Sequence, residues 1–158
     1  MTEKKEKYRV GVISDTHGML RPEVPEILHG VDLILHAGDV GKMEILHELK
    51  KTAPVVAVQG NMDGRWAAHL KGTEIAEIGE IQIYMLHDLW LLDLEPATAG
   101  FHAVVSGHTH QPKMEEKNGV LYLNPGSAGP RRFDYPISLA LLEVRGKRMK
   151  AEIIEIGA

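Results

Sequence analysis

Short apolar runs recur along the chain, first alternating with helical stretches and later facing each other in pairs. Residues 8–14 form a nearly continuous apolar run, the pattern of a buried strand, and residues 33–36 and 54–58 repeat it. Between these runs, residues 23–28 and 42–51 read as helices. Ile45 and Leu49 fall four apart there and make one apolar face. Strand, helix, strand, helix, strand in that order predicts a parallel sheet.

The second half has a different rhythm. Strand-like runs at 73–78 and 81–85 flank Gly79-Glu80, and runs at 114–117 and 120–123 flank Asn118-Gly119, a strong hairpin signal. Runs at 137–144 and 149–156 flank a turn at 145–148. This half is therefore expected to be largely antiparallel, with a short helix or loop near 91–97. A second sheet packed on the first, with helices outside, buries all of these runs.

Composition narrows the class. The 158 residues are 44% apolar and 25% charged, which fits one α/β domain over residues 8–158 after a polar tail at 1–7. That tail lacks the apolar stretch of a secretion signal, and no run is long enough to span a bilayer. The absence of cysteine excludes disulfides and thiolate zinc sites, and a cytoplasmic location is the expectation. A formal charge of -4 without a basic stripe leaves no dedicated nucleic-acid surface.

The chemistry lies just past the apolar runs. In order come Asp15-Thr16-His17, Gly38-Asp39, Gly60-Asn61, His87 and Gly107-His108-Thr109-His110. In open α/β sheets ligands collect at the carboxyl ends of strands, so five separate loops point to one site. The i, i+2 spacing of Asp15 with His17, and of His108 with His110, puts both side chains of each pair on one face of extended backbone. Glycine before Asp39, Asn61 and His108 permits tight turns and close backbone approach. Two carboxylates, one amide and four imidazoles exceed the needs of one tetrahedral zinc. They suit two divalent ions sharing a bridge, a clamp for a phosphoryl group.

In this motif order the chain resembles the calcineurin-like metallophosphoesterase superfamily, above all its small single-domain phosphodiesterases, over nearly its whole length. The resemblance implies a four-layer α-β-β-α sandwich of two mixed sheets with helices outside. By motif, Asp15, His17 and His110 would hold one metal, Asn61, His87 and His108 the other, and Asp39 would bridge them; Asp39, Asn61 and His108 form the expected catalytic set. Manganese is the first expectation for the metals, with nickel, iron, cobalt or zinc also suited to these donors. Two divalent cations, two carboxylates and one bridging hydroxide leave a net charge of about +1, which attracts a small phosphate-ester anion for in-line attack by that hydroxide. The resemblance also implies a homodimer. Two other functions share the fold: a non-catalytic protein-binding scaffold like the small retromer subunit, and a phosphomonoesterase or nucleotide pyrophosphatase with the same metals. All seven donor positions are filled here, which favours catalysis.

Other residues are weighed beside these. Asn124-Pro125-Gly126-Ser127 matches a family turn whose job is structural. Arg131 and Arg132 are candidates for gripping a phosphate oxygen. His29, His47, His69 and His102 lie off the motifs and are read as surface or packing residues; His36, two residues before the Gly38-Asp39 turn, is expected to be structural, with support of a metal ligand as the alternative. Trp66 and Trp90 flank the metal loops, where they could line a substrate face, but core or interface positions are the first expectation; Met19, Met43, Met85 and Met114 are expected in the core, and Asp63 as a brace for the Asn61 loop. Two positions depart from the family. Asp88 follows His87 where glycine is usual, either as a hydrogen-bond acceptor for a ligand histidine or as a residue that crowds the metal loop. Met62 stands where larger members place a proton-donating histidine after the asparagine, and methionine has no proton to give. Because a general acid contributes roughly 10²–10⁴-fold, aryl phosphodiesters should turn over at least about 100-fold faster than alkyl ones. Equal turnover of the two classes would refute the role assigned to Met62.

Overall fold

The computed structural model describes residues 6–156. The expected polar tail lies outside the described residues up to residue 5, while Glu6 and Lys7 are exposed. The elements in chain order are β1 (Tyr8–Ile13), α1 (Glu23–Ile27), β2 (Leu33–His36), α2 (Met43–Lys50), β3 (Val55–Ala57), β4 (Thr73–Ile78), β5 (Ile81–Leu86), α3 (Pro96–Ala99), β6 (Ala103–Val105), β7 (Lys113–Lys117), β8 (Val120–Asn124), β9 (Ser138–Arg145) and β10 (Arg148–Glu155). They build two five-stranded sheets, ordered β10-β9-β1-β2-β3 and β4-β5-β6-β8-β7.

The first sheet follows the sequence pattern. β1, β2 and β3 run parallel, with Val12 opposite Leu35 and Leu35 opposite Val56, and β9 joins β1 antiparallel. Alternation along β1 sends Val10 and Val12 to one face and Ile13 to the other. On the outer face, Val24 and Leu28 of the first helical stretch, with Ile45 and Leu49 of α2, cover Ile13, Ile34 and Leu139. The inner face meets the second sheet in one apolar cluster, in which Val10, Val12 and Leu35 share a core with Ile83, Met85 and Leu123.

The second sheet departs from the expectation of a largely antiparallel half. The hairpins form as read, with Asn118 and Gly119 both at positive φ, 51° and 77°. Yet β6 pairs in parallel with both β5 and β8, so the centre of this sheet is parallel too. The three-residue run of β6 carries no turn signal that could have announced its partners. The consequence is functional: β5 and β6 send their carboxyl ends the same way, carrying His87 and His108 to one edge.

The fourth layer is thin. Tyr84, Leu86, Val104 and Val120 on the outer face of the second sheet lie under Leu92, Leu94 and Phe101 from the segment around the short α3. This cover stops short at the 3-10 turn Leu89–Leu91, where Trp90 is 91% exposed. Trp90 is thus outside the core, while Trp66 packs partly buried beside the α1–α2 cluster. Met85 is buried, but Met19 and Met114 are exposed, against expectation. Met19 belongs to a loop that turns toward the ligand edge, and Met114 sits on the edge strand β7 between charged neighbours. Among the described residues no helix is long and apolar enough to cross a membrane.

Candidate metal centre

The side chains of Asp15, His17 and His110 present one ligand atom each within 4.8 Å of one another, and Asp39, His87 and His108 form a second such group. The Asp15 carboxylate is fully buried. Its Oδ2 accepts from Ser14 Oγ at 2.6 Å and from the His108 backbone N–H at 3.0 Å. Its Oδ1 has no hydrogen-bond partner and faces His110 Nε2 at 3.4 Å and His17 Nε2 at 3.6 Å. One oxygen therefore fixes the carboxylate and the other is left to the donor cluster. His17 Nε2 and His110 Nδ1 are likewise buried without a hydrogen-bond partner. Buried polar atoms are nearly always satisfied, so these orphans fit a cation held by this group.

Asp39 joins the two groups. Its Oδ1 accepts from the Met62 N–H at 2.8 Å, while Oδ2 lies 3.7 Å from His17 Nε2 and 3.1 Å from His87 Nε2. His87 Nδ1 donates to the Ala37 carbonyl at 2.7 Å, which fixes the ring with Nε2 facing Asp39 and the cluster. Asn61 Oδ1 lies 3.1 Å from His108 Nδ1, placing the amide beside the second group. All seven sequence-predicted donors thus gather at one edge.

The charges are mutually adjusted. Burial pushes the Asp15 carboxyl up, but His17, His87, Ser14 and His110 outweigh it and hold the group below the usual carboxylate range. Asp39 is held down in the same way, burial being outweighed by His87, the Met62 N–H and His17. Burial would push His87 down, yet the Asp39 hydrogen bond and the charges of Asp15 and Asp39 raise it. His110 is lowered, by burial first and also by the charges of Arg132 and His17, against the opposing pull of Asp15 and Asp39.

Backbone strain concentrates here. Among the described residues, five of the seven non-glycine residues at positive φ are candidate ligands: Asp15, His17, Asp39, His108 and His110. Left-handed backbone is costly for such residues and persists where the surroundings over-determine it, typically at functional sites. The glycines show why the loops can meet. A Cβ on Gly60 would collide with the backbone N and carboxylate of Asp39, and a Cβ on Gly107 would collide with Ser14 Oγ and crowd Asp15 Oδ2 at 2.7 Å.

Residues outside the motifs hold the loops in place. His36 is fully buried; its Nδ1 accepts from the Gly38 N–H at 3.1 Å and its Nε2 lies 3.0 Å from Thr16 Oγ1, which donates to Val40 O. Burial lowers its pKa to about 4, so the ring is neutral and structural, as expected. Asp63 accepts from the N–H groups of Gly60, Gly41 and Val40, bracing the Asn61 loop against the Asp39 loop. Asn124 donates to Gly107 O at 3.0 Å and Thr109 Oγ1 at 3.1 Å, and Ser127 Oγ reaches Asp15 O at 3.1 Å, so the Asn-Pro-Gly-Ser turn ties two ligand loops together. Asp88 accepts from the Trp90 N–H and places Oδ2 3.8 Å from His108 Nε2. Ser14 went unnoticed in the sequence; its only signal was a polar residue closing an apolar strand just before Asp15. Arg131 and Arg132 lie exposed in the loop after Pro130, with the charge of Arg132 felt at His110.

A family model described as the calcineurin-like phosphoesterase superfamily domain matches residues 8–147. The chain is 39% identical over 164 residues to a probable metallophosphoesterase of Methanothermobacter thermautotrophicus, covering 94% of this chain and 93% of that protein. It is 25% identical over 167 residues to a phosphodiesterase of Methanocaldococcus jannaschii, covering 93% of this chain and 99% of the relative. Among solved structures, vacuolar protein sorting 29 from Cryptosporidium parvum shares the fold with a TM-score of 0.77 at 23% identity, covering 98% of this chain and 100% of the other.

Two outcomes are expected. Gly107→Ala should displace Asp15 and the His108 backbone and weaken metal binding roughly 10–100-fold without unfolding the protein, as read by calorimetric titration and circular dichroism; unchanged affinity would show that the close approach does not matter. For His36, a folded pKa near 4 against 6.5 unfolded means that the unfolded chain binds the extra proton between those values. Its contribution is complete above pH 6.5 and is lost as pH falls toward 4. In urea unfolding of the metal-stripped protein between pH 7 and 4.5, His36→Asn should therefore lose about 2 kcal/mol less than the parent. Equal losses would exclude a neutral buried His36.

Proposed function

The chain belongs to the calcineurin-like phosphoesterase superfamily, and from that premise we propose that it hydrolyses phosphate diesters with a pair of divalent ions. The observation that carries this reading is the shared edge of the two donor groups, with Asp39 Oδ2 between His17 and His87. Asp15, His17 and His110 would hold one ion, Asn61, His87 and His108 the other, and Asp39 both. Manganese is the proposed ion; nickel, iron, cobalt and zinc suit the same donors. When bound, the ions supply Lewis acidity and a water acidic enough to attack phosphorus near neutral pH.

The protein's own part is placement. Ser14 and the His108 N–H aim the free oxygen of Asp15, the Ala37 carbonyl sets the tautomer of His87, and Asp63 fixes the loop that offers Asn61. Arg131 and Arg132 are the proposed grip on the phosphate oxygens that face away from the donors. Two observations support a diester over a monoester. One relative is a phosphodiesterase, and Met62, 64% exposed, offers no proton to a poor leaving group.

With manganese added, purified protein should hydrolyse bis(p-nitrophenyl) phosphate, and chelation should abolish turnover. Asp39→Ala and Asn61→Ala should each lower kcat/KM roughly a thousandfold or more. Arg131→Ala and Arg132→Ala should raise KM about tenfold with little change in kcat. Hydrolysis that survives loss of Asp39 would sink the proposal, as would complete inactivity with every metal, which is the outcome a scaffold of this fold would give.

A further inference from the structure

Beside the donor cluster, on the outer side of the second sheet, lies a cavity of about 190 Å³. Gly107 and Thr109, from the loop that carries His108 and His110, form part of its lining, and so does Asp88, next to His87. Trp90 makes one wall at 91% exposure. Its backbone N–H donates to Asp88 Oδ1 at 3.0 Å, which fixes the main chain at this position. Lys113 and Lys117 stand among the other lining residues, each near Glu115, at 3.5 and 3.8 Å. Lys117 also lies 5.6 Å from the ring centroid of Tyr122, which lines the cavity as well.

Three features say what fits here. Asp88 and Glu115 balance Lys113 and Lys117, so the lining offers no surplus charge for another phosphate. The volume is below that of a pocket enclosing a whole ligand and suits one substituent of a larger molecule. An indole left almost wholly in water, with its backbone anchored, offers a flat stacking face.

We propose that this cavity receives a planar aromatic ester group of the phosphodiester, stacked on Trp90, while the phosphate sits at the donor cluster. The proposal rests on the phosphodiesterase reading and adds a selectivity for aromatic esters set by Trp90. Stacking of this kind contributes about tenfold in affinity.

The test uses the manganese-loaded protein. Trp66→Phe leaves Trp90 as the sole indole of the two in the chain. In that protein diphenyl phosphate should quench Trp90 fluorescence with half-saturation about tenfold below that of dimethyl phosphate. Trp90→Ala should raise KM for bis(p-nitrophenyl) phosphate about tenfold with kcat within about twofold, and Trp90→Phe should restore most of the loss. An unchanged KM in Trp90→Ala, or equal half-saturation by the two phosphates, overturns the proposal. The two readings fail separately. Hydrolysis with unchanged KM removes the subsite alone, whereas selective quenching without any hydrolysis keeps the subsite and removes the enzyme.

Discussion

The Asp15 carboxylate divides its work between the protein and the cluster. One oxygen is saturated by the Ser14 hydroxyl and the His108 N–H, and the other, buried and without a hydrogen-bond partner, faces three imidazoles. That division joins the loop after β1 to the loop after β6, and so joins the two sheets at their ligand edge. It also sets the electrostatic demand of the site. Two carboxylates held ionised beside imidazole lone pairs are stable only with positive charge among them, supplied by protons or by metal. The supporting network of Asp63, His36, Asn124 and Ser127 keeps the donors from relaxing away from this demand.

Much of this was written in the sequence. The alternation of apolar runs with helical stretches gave the parallel half of the first sheet, because each buried strand is a short uninterrupted run. The Asn118-Gly119 pair announced its hairpin because both residues adopt positive φ in the turn. The donor list was legible because each donor sits one to five residues past a strand end, and chain order alone sorts them by loop.

What stayed hidden depends on contacts between distant segments. Nothing local to Ala103–Val105 states that it lies parallel between β5 and β8, since parallel pairing has no turn to mark it. The left-handed backbone at five donors is likewise a property of the assembled loops, as is the collision that any side chain at Gly60 or Gly107 would cause. The size of tryptophan argues for a covered position, in the core or an interface, yet Trp90 lies outside the core. Only the shortness of the layer over the second sheet leaves it in water.

The sheet margins bear on how copies of the molecule can meet. β7, a margin of the second sheet, carries Lys113, Glu115, Glu116 and Lys117 in five residues, and β10, a margin of the first, carries Arg148, Lys150, Glu152 and Glu155 in eight. Charges along a free strand oppose the addition of a further strand from a neighbour, and so guard against fibril-like growth. At these two margins the sheets are thus closed to growth by strand addition, each ending on its own fifth strand.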